Sequence, residues 1–127
     1  MTRYKVTITI KSSCTNEQEA DVNKLGSWNY LIDHGGLPIA GSGSISDANM
    51  TSYAATMHGI ISAMETLRAP CFIVVRTKNQ AIGQTAKGIK NLGWNPKGRK
   101  AWAQTDLWRK LVEVANKGEH KLAFEHY

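Results

Sequence analysis

The first residues of the chain alternate. Tyr4, Val6, Ile8 and Ile10 are apolar, and Lys5, Thr7, Thr9 and Lys11 between them are polar. A period of two puts every apolar side chain on one face and predicts a strand. Cys14 to Lys24 is polar and predicts a loop. Gly26 to Asp33 reads as a second strand, closed by the turn signal His34-Gly35-Gly36. Leu37 to Ser46 predicts a third strand, paired with the second as a hairpin. Gly41 and Gly43 weaken that strand because they bring no side chain to pack.

The period then changes. After Asp47 to Asn49, the apolar residues Tyr53, Met57, Ile60, Ile61, Met64 and Leu67 recur mostly every three or four positions, which makes one face of a helix. Pro70 ends it. Cys71 to Val75 is an unbroken apolar run and predicts a strand buried on both faces, as in a parallel sheet. Asn79 to Leu92 predicts a second helix in spite of Gly83 and Gly88. Gly93 to Ala103 is a loop rich in Lys, Arg and Trp. Thr105 caps a third helix whose face carries Leu107, Trp108, Leu111, Val112 and Ala115, and Gly118 stops it. Lys121 to Tyr127 is a last short strand. The predicted order is β-β-β-α-β-α-α-β. A three-stranded meander followed by strands alternating with helices implies an α/β fold with a mixed five-stranded sheet flanked by helices.

Composition adds bounds. A chain of 127 residues with 42% hydrophobic and 20% charged residues is expected to be a single globular domain, residues 1–127. No stretch approaches the roughly 20 apolar residues that span a bilayer, so no membrane association is expected. The alternating N-terminus lacks the continuous apolar core of a signal peptide. Cys14 and Cys71 are far apart and form no paired-cysteine motif, which argues against zinc or a disulfide framework. They read as buried thiols of a reducing compartment, and a cytoplasmic location is expected. His58, His120 and His126 form no metal-like spacing with a cysteine or an acid. No metal and no cofactor is expected.

The net charge of +6 is uneven. Residues 1–75 carry five Lys/Arg and six Asp/Glu, a net of −1. Residues 76–110 carry nine Lys/Arg and one acid, Asp106, a net of +8. Residues 111–127 return to −1. Such a concentration suits a polyanionic partner, although a solvated basic face would look the same.

Four segments in order resemble the ribonuclease H family. Val6 to Cys14 (VTITIKSSC) resembles its first strand with the Thr-Asp-Gly-Ser ending. Thr51 to Leu67 (TSYAATMHGIISAMETL) resembles its first helix. Cys71 to Gln80 (CFIVVRTKNQ) resembles its fourth strand with the Thr-Asp-Ser-Gln ending. Gly93-Trp94, then Asp106-Leu107-Trp108 and Leu111, resemble landmarks of its last third. The resemblance implies a ribonuclease H-like fold. In that family, carboxylates hold two magnesium ions that clamp the attacking and leaving oxygens of a phosphodiester. Here Lys11, Thr56 and Lys78 occupy those positions. The sequence reaches Tyr127 without the family's C-terminal helix, which is expected to be missing along with its carboxylate. Two ammonium groups near the metal positions would repel a divalent cation. The expectation from these departures is that the chain is not an enzyme.

What remains is binding. The resemblance places Lys11 and Lys78 where the scissile phosphate lies, Thr51 in a phosphate pocket, and Gln80 reaching toward the bases. Trp94, Lys97, Arg99, Lys100 and Trp102 add charge and stacking surface in the region that handles substrate. The expected partner is nucleic acid, either an RNA duplex or an RNA–DNA hybrid, bound mainly through phosphates. The alternative is a protein-interaction or regulatory module, scaffold or inhibitor, with a homodimer formed through the open Leu37 to Ser46 edge. Trp108, on an apolar helical face, is expected in the core.

Overall fold

A computed structural model describes residues 4–16, 22–91 and 105–127 of the chain. Its elements are β1 (Tyr4–Cys14), β2 (Lys24–Asp33), β3 (Ile39–Asp47), α1 (Ser52–Glu65), β4 (Cys71–Thr77), α2 (Gln80–Asn91), α3 (Thr105–Lys117) and β5 (Lys121–His126). This is the predicted order, with β1 and β2 extended into the segment expected to be a loop.

The five strands form one mixed sheet in the order β3-β2-β1-β4-β5. β1 pairs antiparallel with β2, and β2 with β3. β4 lies parallel to β1 on its other side, and β5 parallel to β4. The parallel pairs are reached through helices, as crossovers of this kind require. β3 and β5 are therefore the sheet's two edges.

Register decides what is buried. Val6 pairs with Ile73, Ile8 with Val75 and Ile73 with Leu122, so the alternating apolar residues of three strands fall on the same face. Helices α1, α2 and α3 supply Met57, Ile60, Met64, Ile82, Trp108 and Leu111 to that core. Trp108 is fully buried there, and its indole N–H donates to the Tyr53 hydroxyl at 2.7 Å. β2 and β3 meet α1 around a smaller cluster of Trp28, Met50, Ala54 and Ala55. Trp28 lies where Gly43 and Gly59 leave room: a Cβ at Gly43 would come within 2.5 Å of its ring. The glycines that weaken β3 as a strand are what lets Trp28 and Tyr30 lie across it.

The opposite face of the sheet is different. None of the residues it presents from the five strands is fully buried. The unbroken apolar run of β4 is accordingly not buried on both faces. Cys71, Ile73 and Val75 are buried, but Phe72 is 42% exposed and Val74 is half-buried. No described helix packs over Phe72. The expectation of two buried thiols also needs correction: Cys71 is buried, whereas Cys14 is half-buried at the end of β1, its thiol donating to the Met50 carbonyl at 3.5 Å.

Local chemistry fixes the connections. Thr51 has extended backbone and caps α1, its hydroxyl accepting from the Ala54 N–H at 3.0 Å. Lys24 is buried, and its ammonium donates to the Ala48 carbonyl at 2.7 Å, tying β2 to the turn before α1. His120, also buried, accepts the Cys71 N–H on Nδ1 at 3.0 Å and anchors the start of β4. Burial holds its pKa below the usual imidazole value.

Candidate nucleic-acid interface

The parallel register brings the ends of β1 and β4 together. Ile10 pairs with Thr77, so Lys11 and Lys78 follow side by side. They share an open depression of about 270 Å³ with Ile10, Ser12, Thr77 and Asn79. Both lysines are exposed. Their proximity comes from the register, which sets Lys11 one step past the last β1–β4 pair, and from the turn after β4, where the Asn79 N–H donates to the Thr77 hydroxyl at 3.0 Å.

Thr56 stands behind Ser12 on the α1 side. It is 1% exposed, and its hydroxyl donates to the Ser52 carbonyl at 2.8 Å. Ser12 Oγ lies 2.5 Å from Thr56 Oγ1. The helix position is therefore occupied by a hydroxyl engaged inside the protein.

Tyr127 lies beside Lys78 and carried no functional expectation in the sequence. Its hydroxyl donates to the Ile10 carbonyl at 3.2 Å and its N–H to the Thr77 carbonyl at 3.3 Å. The Arg76 guanidinium lies 4.8 Å from the ring centroid and the Lys78 ammonium 5.5 Å. Arg76 also reaches Glu125 at 3.4 Å. Ser12 and Tyr127 were missed because their roles depend on chain segments 44 and 117 residues away.

The other expected site residues divide. Thr51 lies at the start of α1 with its hydroxyl already engaged in capping. Gln80 heads α2 and is exposed, beside a groove between α2 and β5 that Lys87, Phe124 and His126 also line. Trp94, Lys97, Arg99, Lys100 and Trp102 lie outside the described residues. His58 stacks on Trp28 with ring centroids 5.6 Å apart, and burial lowers its pKa.

The fit of a metal pair can be tested on these residues. Magnesium requires hard oxygen ligands, chiefly carboxylates. Lys11 and Lys78 offer ammonium groups and Thr56 a committed hydroxyl. Among the described residues, no cluster of three or more His, Cys, Asp or Glu could hold a metal ion. The described residues do not fit a two-magnesium centre.

No family model matches the chain. Individual relatives do. The chain is 25% identical to the ribonuclease H of Nitratidesulfovibrio vulgaris over 129 aligned residues, covering 98% of this chain and 77% of that protein. It is 30% identical over 94 residues to the ribonuclease H of Halorhodospira halophila, covering 71% of this chain and 62% of the relative. With the ribonuclease H of Nitrosococcus oceani it shares 28% over 101 residues, covering 76% and 66%. The chain thus spans about two thirds of the length of these last two. Among solved structures, LC11-RNase H1 in complex with an RNA/DNA hybrid superimposes with a TM-score of 0.66 at 16% identity, covering 96% of this chain and 84% of that one. LC9-RNase H1 gives 0.68 at 15% identity, covering 100% and 64%.

The expectation that the chain is not an enzyme is overturned by these relatives, which bear the name ribonuclease H and make an enzyme the better-supported reading. That expectation rested on lost carboxylates at described positions. The sheet order, the placement of α1 against it and the sequence relatives agree on a ribonuclease H-like fold and a likeness to the ribonuclease H family.

Proposed function

We propose that the chain binds an RNA–DNA hybrid at the ends of β1 and β4, with Lys11 and Lys78 receiving a backbone phosphate. The observation that carries this reading is the pair of exposed lysines lining one depression. An ammonium pair attracts phosphate directly and needs no bridging cation there. The hybrid is favoured because one structural neighbour was solved with that ligand. The excess of positive charge in residues 76–110 adds long-range attraction. The cytoplasm is the proposed location. The ribonuclease activity in the relatives' name is part of this reading, and it would draw on groups beyond the described lysine site.

The test is fluorescence anisotropy of labelled RNA–DNA hybrid, RNA duplex and DNA duplex, at low and physiological salt, with Lys11→Asp/Lys78→Asp as comparison. Hybrid binding that survives physiological salt and falls at least tenfold in the double variant supports the reading. Equal weak binding by both proteins, lost at physiological salt, sinks it. Gel analysis of the same hybrid with magnesium or manganese added reads hydrolysis directly.

A homodimer through β3 has one specific observation behind it. Ile39 to Ser46 is an unpaired edge that carries no charge, the kind of strand that invites pairing. Sedimentation of the wild type against Ser44→Lys checks it: a dimer that the lysine dissociates supports the pairing, and a wild-type monomer removes it.

A further inference from the structure

Every strand presents its odd-numbered or even-numbered set to the face that no described helix covers. On the three strands β1, β4 and β5, the register arranges that face in rows. Lys5 pairs with Phe72, and Phe72 with Lys121. The next row is Thr7, Val74 and Ala123. Then come Thr9, Arg76 and Glu125, and the face ends at Lys11 and Lys78. Neighbouring strands stand about 4.8 Å apart, so Lys5 and Lys121 flank Phe72 at roughly 10 Å from each other. Phe72 is 42% exposed, and both lysines are exposed.

We infer that this open face is a platform for single-stranded nucleic acid, with a base stacking on Phe72 and phosphates held by Lys5 and Lys121. The occupant follows from the chemistry. An aromatic ring set between two ammonium groups offers one stacking surface and two phosphate contacts, the combination that binds single strands without reading sequence. The floor beyond it is Thr7, Val74 and Ala123, small enough for a flat base to approach. On the face of these three strands Lys5, Lys11, Arg76 and Lys121 stand against one acid, Glu125, which Arg76 already engages. An apolar protein surface would instead have to cover Thr7, Thr9 and those cations. A duplex is disfavoured because its bases are stacked within the helix and unavailable to Phe72.

This inference goes beyond the hybrid reading, and its own contact residues, Phe72, Lys5 and Lys121, are not part of the hybrid site. The experiment is anisotropy of a labelled twelve-nucleotide oligouridine and of the hybrid, with wild type, Phe72→Ala, Phe72→Tyr and Lys5→Glu/Lys121→Glu, each checked for folding by circular dichroism. Expected are about a tenfold loss of oligouridine affinity in Phe72→Ala, retention in Phe72→Tyr, and a larger loss in the charge reversal with a shallower salt dependence. Hybrid affinity should stay within twofold in both Phe72 variants. Oligouridine binding unaltered in Phe72→Ala, or absent from the wild type, overturns the inference. A wild-type dimer that Phe72→Ala dissociates also overturns it, because a second copy would then be the occupant. If Lys11→Asp/Lys78→Asp abolishes hybrid binding while oligouridine binding fails, only the platform has failed. The reverse pattern removes only the hybrid site.

Discussion

The two faces of this sheet are made from the same strands and have opposite fates. On one, Val6, Ile8, Ile10, Ile73 and Val75 disappear under α1, α2 and α3. On the other, their immediate neighbours Lys5, Thr7, Thr9, Phe72 and Val74 stay at least partly open. Alternation sorts side chains between faces, but it does not say whether a face is covered. Coverage comes from where the helices pack. For this chain the difference separates the residues that hold the fold from those free to meet a ligand.

The largest test of that separation is a pair of truncations. Trp108→Ala removes a fully buried ring and its hydrogen bond to Tyr53, and should cost about 3–5 kcal/mol in urea unfolding. Phe72→Ala, on the open face, should cost about 1 kcal/mol or less. Similar losses would mean that Phe72 is buried in solution and that the two faces are not distinct.

A smaller effect is expected at the glycines. Gly43→Ala drives a Cβ to 2.5 Å from the Trp28 ring and should destabilise by about 1–3 kcal/mol. Gly83→Ala on α2 meets open space and should stabilise by up to about 1 kcal/mol. Thermal midpoints moving the same way in both variants would contradict the packing of Trp28 across β3.

The smallest effect concerns pH. Burial holds the pKa of His120 below its ordinary value of 6.5, and its neutral Nδ1 accepts the Cys71 N–H. The unfolded chain therefore binds this proton more readily. Its neutral-state contribution is fully present above about pH 6.5 and is lost as pH falls from there through the folded value. His58, lowered by burial against Trp28, acts with the same sign. Urea midpoints should fall between pH 7.5 and 5.5, and less steeply in His120→Gln. Equal slopes would remove His120 as a contributor.

Much of the fold was legible because the patterns were local. Tyr4 to Lys11 and Tyr53 to Leu67 each carry their period within a short span, and both elements formed as predicted. β4 misled because an apolar run looks the same whether one face or both are covered, and only the packing of the helices distinguishes them. At the candidate interface, Lys11 and Lys78 could be singled out through family resemblance, but their adjacency needed the Ile10–Thr77 register. Ser12 and Tyr127 had no local signal, since their partners come from distant segments. The expectation about catalysis failed for another reason: it was drawn from the replaced and missing carboxylate positions alone, and the relatives point the other way.

The sequence alone determined the element order, the apolar stripe of each amphipathic element and the concentration of positive charge in residues 76–110. These depend on neighbours a few positions apart, where backbone geometry fixes which side chains share a face. Tertiary structure decided that β4 lies between β1 and β5, that Lys11 meets Lys78, and that Phe72 stands uncovered between Lys5 and Lys121. Those outcomes depend on register and on helix placement, which are set by packing across the whole chain.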